Sequence, residues 1–258
     1  MPIEGIDIEK CSLCQSCVTD CPTKNFNTND TNKQVIFTEK NCVKCGHCIA
    51  ICPENAILYQ DMQGKIIDFK EASNSPSYES LNQLLVFKRT IRQYKNKKVP
   101  EEILQKILNS MSSAPTAMNA RTLKCIIISD ESKIKEFTNA VIDTIDSEEE
   151  REEYRKKLEY GPNPFFYNAP HILLLHSKSS WGITDAPIAI TYGMLSAETL
   201  GLGSCWIGGI QRYLMDHKEI QKRFFGIEDD IHAIMILGYP AVKYFRNPPR
   251  PPLETEII

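Results

Sequence analysis

Four cysteines fall within eleven positions of the stretch CSLCQSCVTDCP, residues 11–22, and the stretch CVKCGHCIAICP, residues 42–53, repeats both their spacing and their closing proline. Each copy reads C-x2-C-x2-C-x3-C-P: Cys11, Cys14, Cys17 and Cys21 before Pro22, then Cys42, Cys45, Cys48 and Cys52 before Pro53. Eight of the ten cysteines are used in this way. Thiolates three residues apart let one tight loop wrap a face of a cube-shaped iron–sulfur cluster, and the fourth then leaves on a short helical turn. A disulfide scaffold and a pair of zinc sites are the competing readings. Zinc usually draws two C-x2-C pairs from separated loops, and three evenly spaced cysteines followed by Cys-Pro do not divide that way.

From about Ile6 to Asp68 the segment resembles the bacterial two-cluster ferredoxins. The resemblance implies two [4Fe-4S] clusters, with the fourth cysteine of each copy reaching across to the other copy's cluster. One cluster then takes Cys11, Cys14, Cys17 and Cys52, and the other takes Cys42, Cys45, Cys48 and Cys21. The loops are cross-tied, so folding is expected to need both clusters. His47 lies inside the second copy, where three cysteines already surround it, and is read as a loop residue beside the cluster. QVIFT, residues 34–38, and AILYQDMQGKIIDF, residues 56–69, read as the short strands of that small pseudo-symmetric fold, with a turn at Gly64.

A chain of 258 residues is long enough for such a unit and a larger body. With 30 basic and 33 acidic residues the net charge is -3, which leaves no footprint for nucleic acid or an anionic membrane surface. No apolar run approaches the roughly 20 residues that cross a bilayer. MPIEGIDIEK lacks the basic and apolar regions of a secretion signal. A cytoplasmic location is therefore expected, where cysteine clusters hold metal more often than disulfides. KEASNSPSYES, residues 70–80, is rich in Ser, Asn and Pro and reads as a boundary: a first domain at 1–70, a linker at 71–80 and a second domain at 81–258.

The larger part alternates helical and strand patterns. LNQLLVF opens as a helix and leads into a basic cluster, and VPEEILQKILNSM follows with Pro100 at a first helical position and Ile103, Leu104, Ile107, Leu108 and Met111 on one stripe. LKCIIIS at 123–129, APHILLLH at 169–176 and HAIMILGYP at 232–240 read as strands, and Asp185 with Pro187 as the opening of a long helix through Leu200. IDSEEEREEYRKKLEY, residues 145–160, reads as a mixed-charge helix with a solvated face. Cys125, Cys205 and Trp206 read as packing residues.

Taken together, residues 81–258 resemble the FMN-dependent nitroreductase family, and four stretches carry the likeness. KRTIRQY, residues 88–94, is similar to the family's Arg-x-Ser-x-Arg start, which implies Lys88, Arg89, Thr90 and Arg92 as contacts to the flavin phosphate and ring edge. APTAMNA, residues 114–120, is similar to a Pro-Ser-x-x-Asn loop in which Pro115, Thr116, Ala117 and Asn119 would reach a flavin bound mostly by the partner subunit. The sequence departs from that pattern directly afterwards, where Arg121, Thr122 and Leu123 replace the usual Gln-Pro-Trp. AETLGLGSCWIGGI, residues 197–210, lacks the spacing of a dinucleotide fingerprint: Gly201 and Gly203 read as a helix stop and a close backbone crossing, while Gly208 and Gly209 are placed by the likeness near flavin N5. LGYPAVKYFRNPPRPPLE, residues 237–254, resembles the closing segment, with Arg250, and more weakly Lys243, toward the phosphate.

The implied fold class is α+β: a small two-cluster ferredoxin-like domain followed by a nitroreductase-type sandwich with a mainly antiparallel sheet flanked by helices. The implied protein is a homodimeric iron–sulfur flavoprotein oxidoreductase with FMN at the subunit interface. Electrons enter at two [4Fe-4S] clusters, pass to FMN and leave to a nitroaromatic, a quinone or a similar electron-poor acceptor. Reduced ferredoxin and NAD(P)H both stand as donors, and no proton donor is assigned. The alternative is an electron-transfer protein that serves a docked protein partner without a small substrate of its own. A further alternative keeps the enzyme and changes the chemistry, since relatives in the superfamily dehalogenate aromatics or fragment flavin.

Overall fold

The computed structural model describes residues 3–29, 31, 33–60, 66–67 and 75–258. The expected turn at Gly64 and the 70/71 domain boundary lie outside the described residues. The chain divides into two compact units, Met1–Ser75 with Ala117–Ala120, and Pro76–Thr116 with Arg121–Ile258.

The first unit is a backbone repeat as well as a sequence repeat. Strand β1 (Ile3–Ile6), helix α1 (Ser16–Asp20), strands β2 (Phe26–Asn29) and β3 (Gln34–Phe37), helix α2 (His47–Ile51) and strand β4 (Ile57–Tyr59) follow in order. β1 pairs antiparallel with β4, and β2 with β3. Positive φ recurs at matched places: Leu13 and Lys44, Gln15 and Gly46, Lys24 and Asn55. These left-handed residues turn each loop tightly enough to bring its cysteines to one side, at a steric cost that only Gly46 escapes. The core is small, with Ile3, Phe26, Val35 and Ile57 packed among Cys17, Cys21 and Cys48. His47, expected in a loop, is the first residue of α2. β1 and β2 were not read from the sequence, because IEGI and FNTN lack the β-branched and aromatic run that marks QVIF.

The second unit begins with α3 (Tyr78–Phe87), inside the stretch expected as linker, because Ser77 caps it by accepting from the Ser80 N–H at 3.2 Å. Then come α4 (Glu101–Ser112), β5 (Lys124–Ile128), α5 (Glu131–Asp143), α6 (Glu148–Tyr160), β6 (His171–Ser177), α7 (Gly182–Thr199), β7 (Gly203–Trp206), α8 (Gly208–Asp216), α9 (Lys218–Phe225) and β8 (Asp230–Gly238). The four strands form one antiparallel sheet in the order β5-β6-β8-β7. Alternation on the central strands sorts the core into two layers. Ile172, Leu174, Ile234 and Ile236 pack with α5, α8 and α9, while Leu173, Leu175, Met235 and Leu237 pack with α4 and α7. The architecture is therefore α+β, a sheet with helices on both faces.

Two boundaries differ from the sequence reading. Pro100 caps α4 from outside, and α7 starts at Gly182 with Pro187 inside it. The stripe on α4 is as expected, with Leu104, Ile107 and Met111 buried. α6 buries none of its residues and carries ion pairs such as Lys156–Glu152 at 3.6 Å, as a solvated face should.

Candidate functional site

In the first unit the cysteines gather in two sets. Cys11, Cys14, Cys17 and Cys52 line one cavity, and Cys21, Cys42, Cys45 and Cys48 line the other. Each set thus takes three cysteines from one copy and the fourth from the other. Each fourth cysteine accepts a backbone N–H on its sulfur: Asn25 N–H to Cys21 Sγ at 3.3 Å and Ala56 N–H to Cys52 Sγ at 3.2 Å. Among the described residues, no three His, Cys, Asp or Glu side chains converge as a single metal ion requires. Four thiols around a void would instead suit a polynuclear iron–sulfur cluster, which those cysteines would hold. Burial pushes the Cys48 thiol up to about 11 and raises Cys17 as well. Neither is a thiolate at neutral pH without a cation to hold it.

In the second unit, a cavity of ≈ 390 Å³ opens where the chain leaves α3. Arg89, Lys243 and Arg246 supply cations to its lining, Glu198 supplies a carboxylate, and Phe87, Tyr244 and Phe245 supply aromatic walls. The segment that carries Arg89 lies along the outer side of β7, with Thr90 bridged in parallel to Ser204 and the Ile91 N–H donating to the Ser204 carbonyl at 3.0 Å. Gly203 permits this crossing, because a Cβ there would stand 2.6 Å from Ile91 Cγ1. Gly201, with φ +72°, ends α7 just before it. Arg89 Nη1 is buried and has no hydrogen-bond partner among the described residues. An orphaned guanidinium nitrogen is costly unless an anion completes it, so the cations of this cavity suit an anionic group such as a phosphate. Burial raises the Glu198 pKa and lowers that of Lys88, and the two charges partly offset those shifts by facing each other.

The other expected flavin residues are placed as follows. The Arg92 guanidinium stands 5.7 Å from the Tyr167 ring centre. Pro115 and Thr116 follow α4, and Thr116 Oγ1 accepts from the Arg121 N–H at 3.2 Å. Ala117–Asn119 form a single 3-10 turn within the first unit, where Asn119 Nδ2 donates to the carbonyls of Val43 and Lys44 at 3.2 and 2.8 Å. Gly208 and Gly209 open α8 and are exposed, and a Cβ on Gly209 would meet no atom of the described residues within 4 Å. Lys243 lines the Arg89 cavity, whereas Arg250 sits in the exposed tail and does not. Arg246 and Glu198 were missed from the sequence. Arg246 had a signal in the run KYFRN, where two aromatics lie between two cations, while Glu198 on a helix end had none.

The family model for nitroreductases matches residues 85–239, and a model described as a 4Fe-4S dicluster domain matches residues 4–53. The chain belongs to the nitroreductase family. A putative NADH dehydrogenase/NAD(P)H nitroreductase from Methanothermobacter thermautotrophicus is 28% identical to this nitroreductase-family chain over 163 residues, 60% of this chain and 74% of the relative. An iodotyrosine deiodinase from Thermotoga neapolitana is 28% identical over 180 residues, 62% of this chain and 90% of the relative. Among solved structures, a nitroreductase with bound FMN from Bacteroides fragilis superposes with a TM-score of 0.57 over 69% of this chain and 97% of that one, at 20% identity, so it shares the fold. The nitroreductase family places the second unit among the oxidoreductases, and the dicluster domain stands ahead of it in the same chain.

Proposed function

We propose that this protein is an iron–sulfur flavoprotein in which two [4Fe-4S] clusters deliver electrons to FMN for reduction of a nitroaromatic, a quinone or a similar electron-poor acceptor. The observation that carries the reading is the division of eight cysteines into two cross-tied sets of four in a chain of the nitroreductase family. When bound, each cluster supplies one electron at a time, and the flavin accepts electrons singly and delivers them in pairs. The protein's own part is to hold these groups. The two cysteine sets ligate the clusters, and Lys88, Arg89, Thr90, Arg92 and Lys243 bind the flavin, with Arg246 added by its place in the cavity. Pro115, Thr116, Ala117, Asn119 and Arg250 serve a flavin shared between two copies, and Gly208 and Gly209 leave room for its ring.

The FMN bound in the Bacteroides fragilis nitroreductase and the likeness to the Methanothermobacter thermautotrophicus putative NAD(P)H nitroreductase support the same chemistry. A homodimer is supported by the extended C-terminal tail, whose Phe245, Leu253, Ile257 and Ile258 are all exposed on a single chain and would be covered by a second copy. The deiodinase likeness favours one second reading, reductive removal of halogen from an aromatic ring at the same flavin.

The test is anaerobic purification followed by iron and flavin analysis, then turnover with reduced ferredoxin, dithionite, NADH and NADPH against nitroaromatics, quinones and halophenols. We expect about eight irons and one FMN per chain, and turnover with at least one acceptor class. Loaded protein that reduces none of them would point instead to electron transfer toward a protein partner.

A further inference from the structure

The two halves of the cysteine repeat are alike in backbone and unlike in what surrounds the fourth cysteine. Cys21 is followed by Thr23 and Asn25, and the matching positions after Cys52 are Glu54 and Ala56. The backbone donors to the two sulfurs are equivalent, at 3.3 and 3.2 Å. The side-chain donors are not. The Lys40 N–H reaches Asn25 Oδ1 at 2.8 Å, and because a backbone N–H only donates, it fixes which end of the carboxamide is oxygen. Asn25 Nδ2 is thereby turned toward Thr23 Oγ1 at 2.6 Å and toward Cys21 Sγ at 3.9 Å. With its oxygen occupied as an acceptor, the Thr23 hydroxyl is left to donate to Cys21 Sγ, 3.8 Å away. A metal-bound thiolate accepts only, which settles that direction.

The result is a chain of aligned dipoles from Lys40 through Asn25 and Thr23 to a single cluster sulfur, anchored on an asparagine that is 1% exposed. Each member polarises the next, and burial keeps water from competing. Among the described residues the first set has no such chain. Its side-chain hydroxyls, Ser16 Oγ at 3.4 Å from Cys14 Sγ and Ser12 beside the same sulfur, serve an exposed cysteine. Glu54, at the rim of that cavity, adds a negative charge instead. At the second cavity Lys44 adds a positive charge that acts in the same direction as the hydrogen bonds to Cys21, while Asp20 lines a neighbouring depression beside Cys45.

Reducing a cluster adds one negative charge, which hydrogen bonds to its sulfurs stabilise. We propose that Asn25, acting through Thr23, raises the reduction potential of the cluster that Cys21 ligates, an increment that Ala56 and Glu54 do not provide for the cluster of Cys52. Asn25 is thus a positioning residue for the electron inlet, and the inference rests on the two-cluster reading above.

The experiment is an anaerobic redox titration of the full-length protein, with dithionite as the one-electron source, followed by electron paramagnetic resonance alongside iron analysis. In Asn25→Ala one of the two potentials falls, moving the partition of an electron between the clusters about tenfold, ~59 mV for one electron. Asn25→Asp keeps the acceptor for Lys40 and loses the donor, and lowers the same potential. Thr23→Val, at a half-buried site, gives the same direction if the asparagine variants fail to retain iron. Glu54→Gln, on the surface, raises the other potential. Unchanged potentials in Thr23→Val and in any iron-loaded asparagine variant, with about eight irons bound, would overturn the role given to Asn25. About four irons in the wild type would instead overturn the two-cluster reading itself.

Discussion

Arg89 joins the backbone to the ligand chemistry. Its neighbour Ile91 is tied to β7 by the bond to the Ser204 carbonyl, and Arg89 itself presents a buried nitrogen that none of the described residues satisfies. Arg89→Ala should therefore cost little in folding and much in binding. One charge-assisted hydrogen bond is worth about 1.5–3 kcal/mol, so retention of FMN should weaken roughly 10- to 100-fold. Flavin dissociation measured by fluorescence, with circular dichroism as the folding control, checks this. Arg89→Lys should recover only part, because an ammonium does not offer the two-pronged donor geometry. At this scale the sequence was informative where chemistry depends on spacing, as in the cysteines, and silent where it depends on the turn of the chain. Lys243 and Arg250 both looked suitable on their residue type. The structure brings Lys243 and Arg246 to the cavity and leaves Arg250 further along the exposed tail.

Among the elements, the crossing of the Lys88–Arg92 segment over β7 controls the geometry of the site. In Gly203→Ala the new Cβ would fall within 3 Å of three Ile91 atoms, one of them the branched Cβ, so the segment must shift. We expect a stability loss of about 1–3 kcal/mol and a coupled loss of flavin. Ile91→Ala in the same chain should restore part of both, read as a non-additive double-mutant cycle in urea unfolding. His171 joins another pair of elements. Its Nε2 accepts from the buried Val99 N–H at 2.9 Å, and its Nδ1 lies 2.7 Å from Ser129 Oγ, so the loop before α4, β6 and the end of β5 are held at one ring. Burial, with help from Lys98, lowers its pKa below 6.5. The neutral ring is the one that fits, so its contribution is complete above pH 6.5 and is lost as pH falls through the depressed folded value. His171→Phe should cost about 1–3 kcal/mol at pH 7.5 through the orphaned Val99 N–H and should flatten the acid limb of the stability curve, measured by urea unfolding between pH 5 and 8. Long apolar strands and the α4 stripe were legible beforehand because their periodicity runs over many residues. The tie at His171 was not, since it joins positions 72 apart in the sequence.

For the whole molecule, the two units have unequal means of staying folded. The second has two extensive apolar layers, and the first has a core in which three of seven buried residues are cysteines. A unit of this size with so little apolar burial needs its metal to fold. Removal of iron by chelator under mild oxidation should therefore abolish one unfolding transition and leave the other near its original midpoint. Calorimetry before and after chelation, with proteolysis to locate the unfolded part, provides the measurement. A single transition that survived chelation unchanged would contradict it. The two-part organisation was readable because composition changes abruptly after the second cysteine copy. The start of α3 at Tyr78 was not, since a capping serine looks the same as a linker serine until the helix behind it is seen.

The exchange of fourth cysteines between the copies also bears on how the protein matures. As the chain emerges during synthesis, the second set is complete only once Cys48 has been made, and the first only once Cys52 has. The first three cysteines can be exposed for the whole time it takes to make the second copy without having a finished site to fill. Both sites then become competent almost together, so an assembly factor delivering iron and sulfide meets either no site or two. A nascent chain halted between the copies should leave the ribosome with no cluster at all.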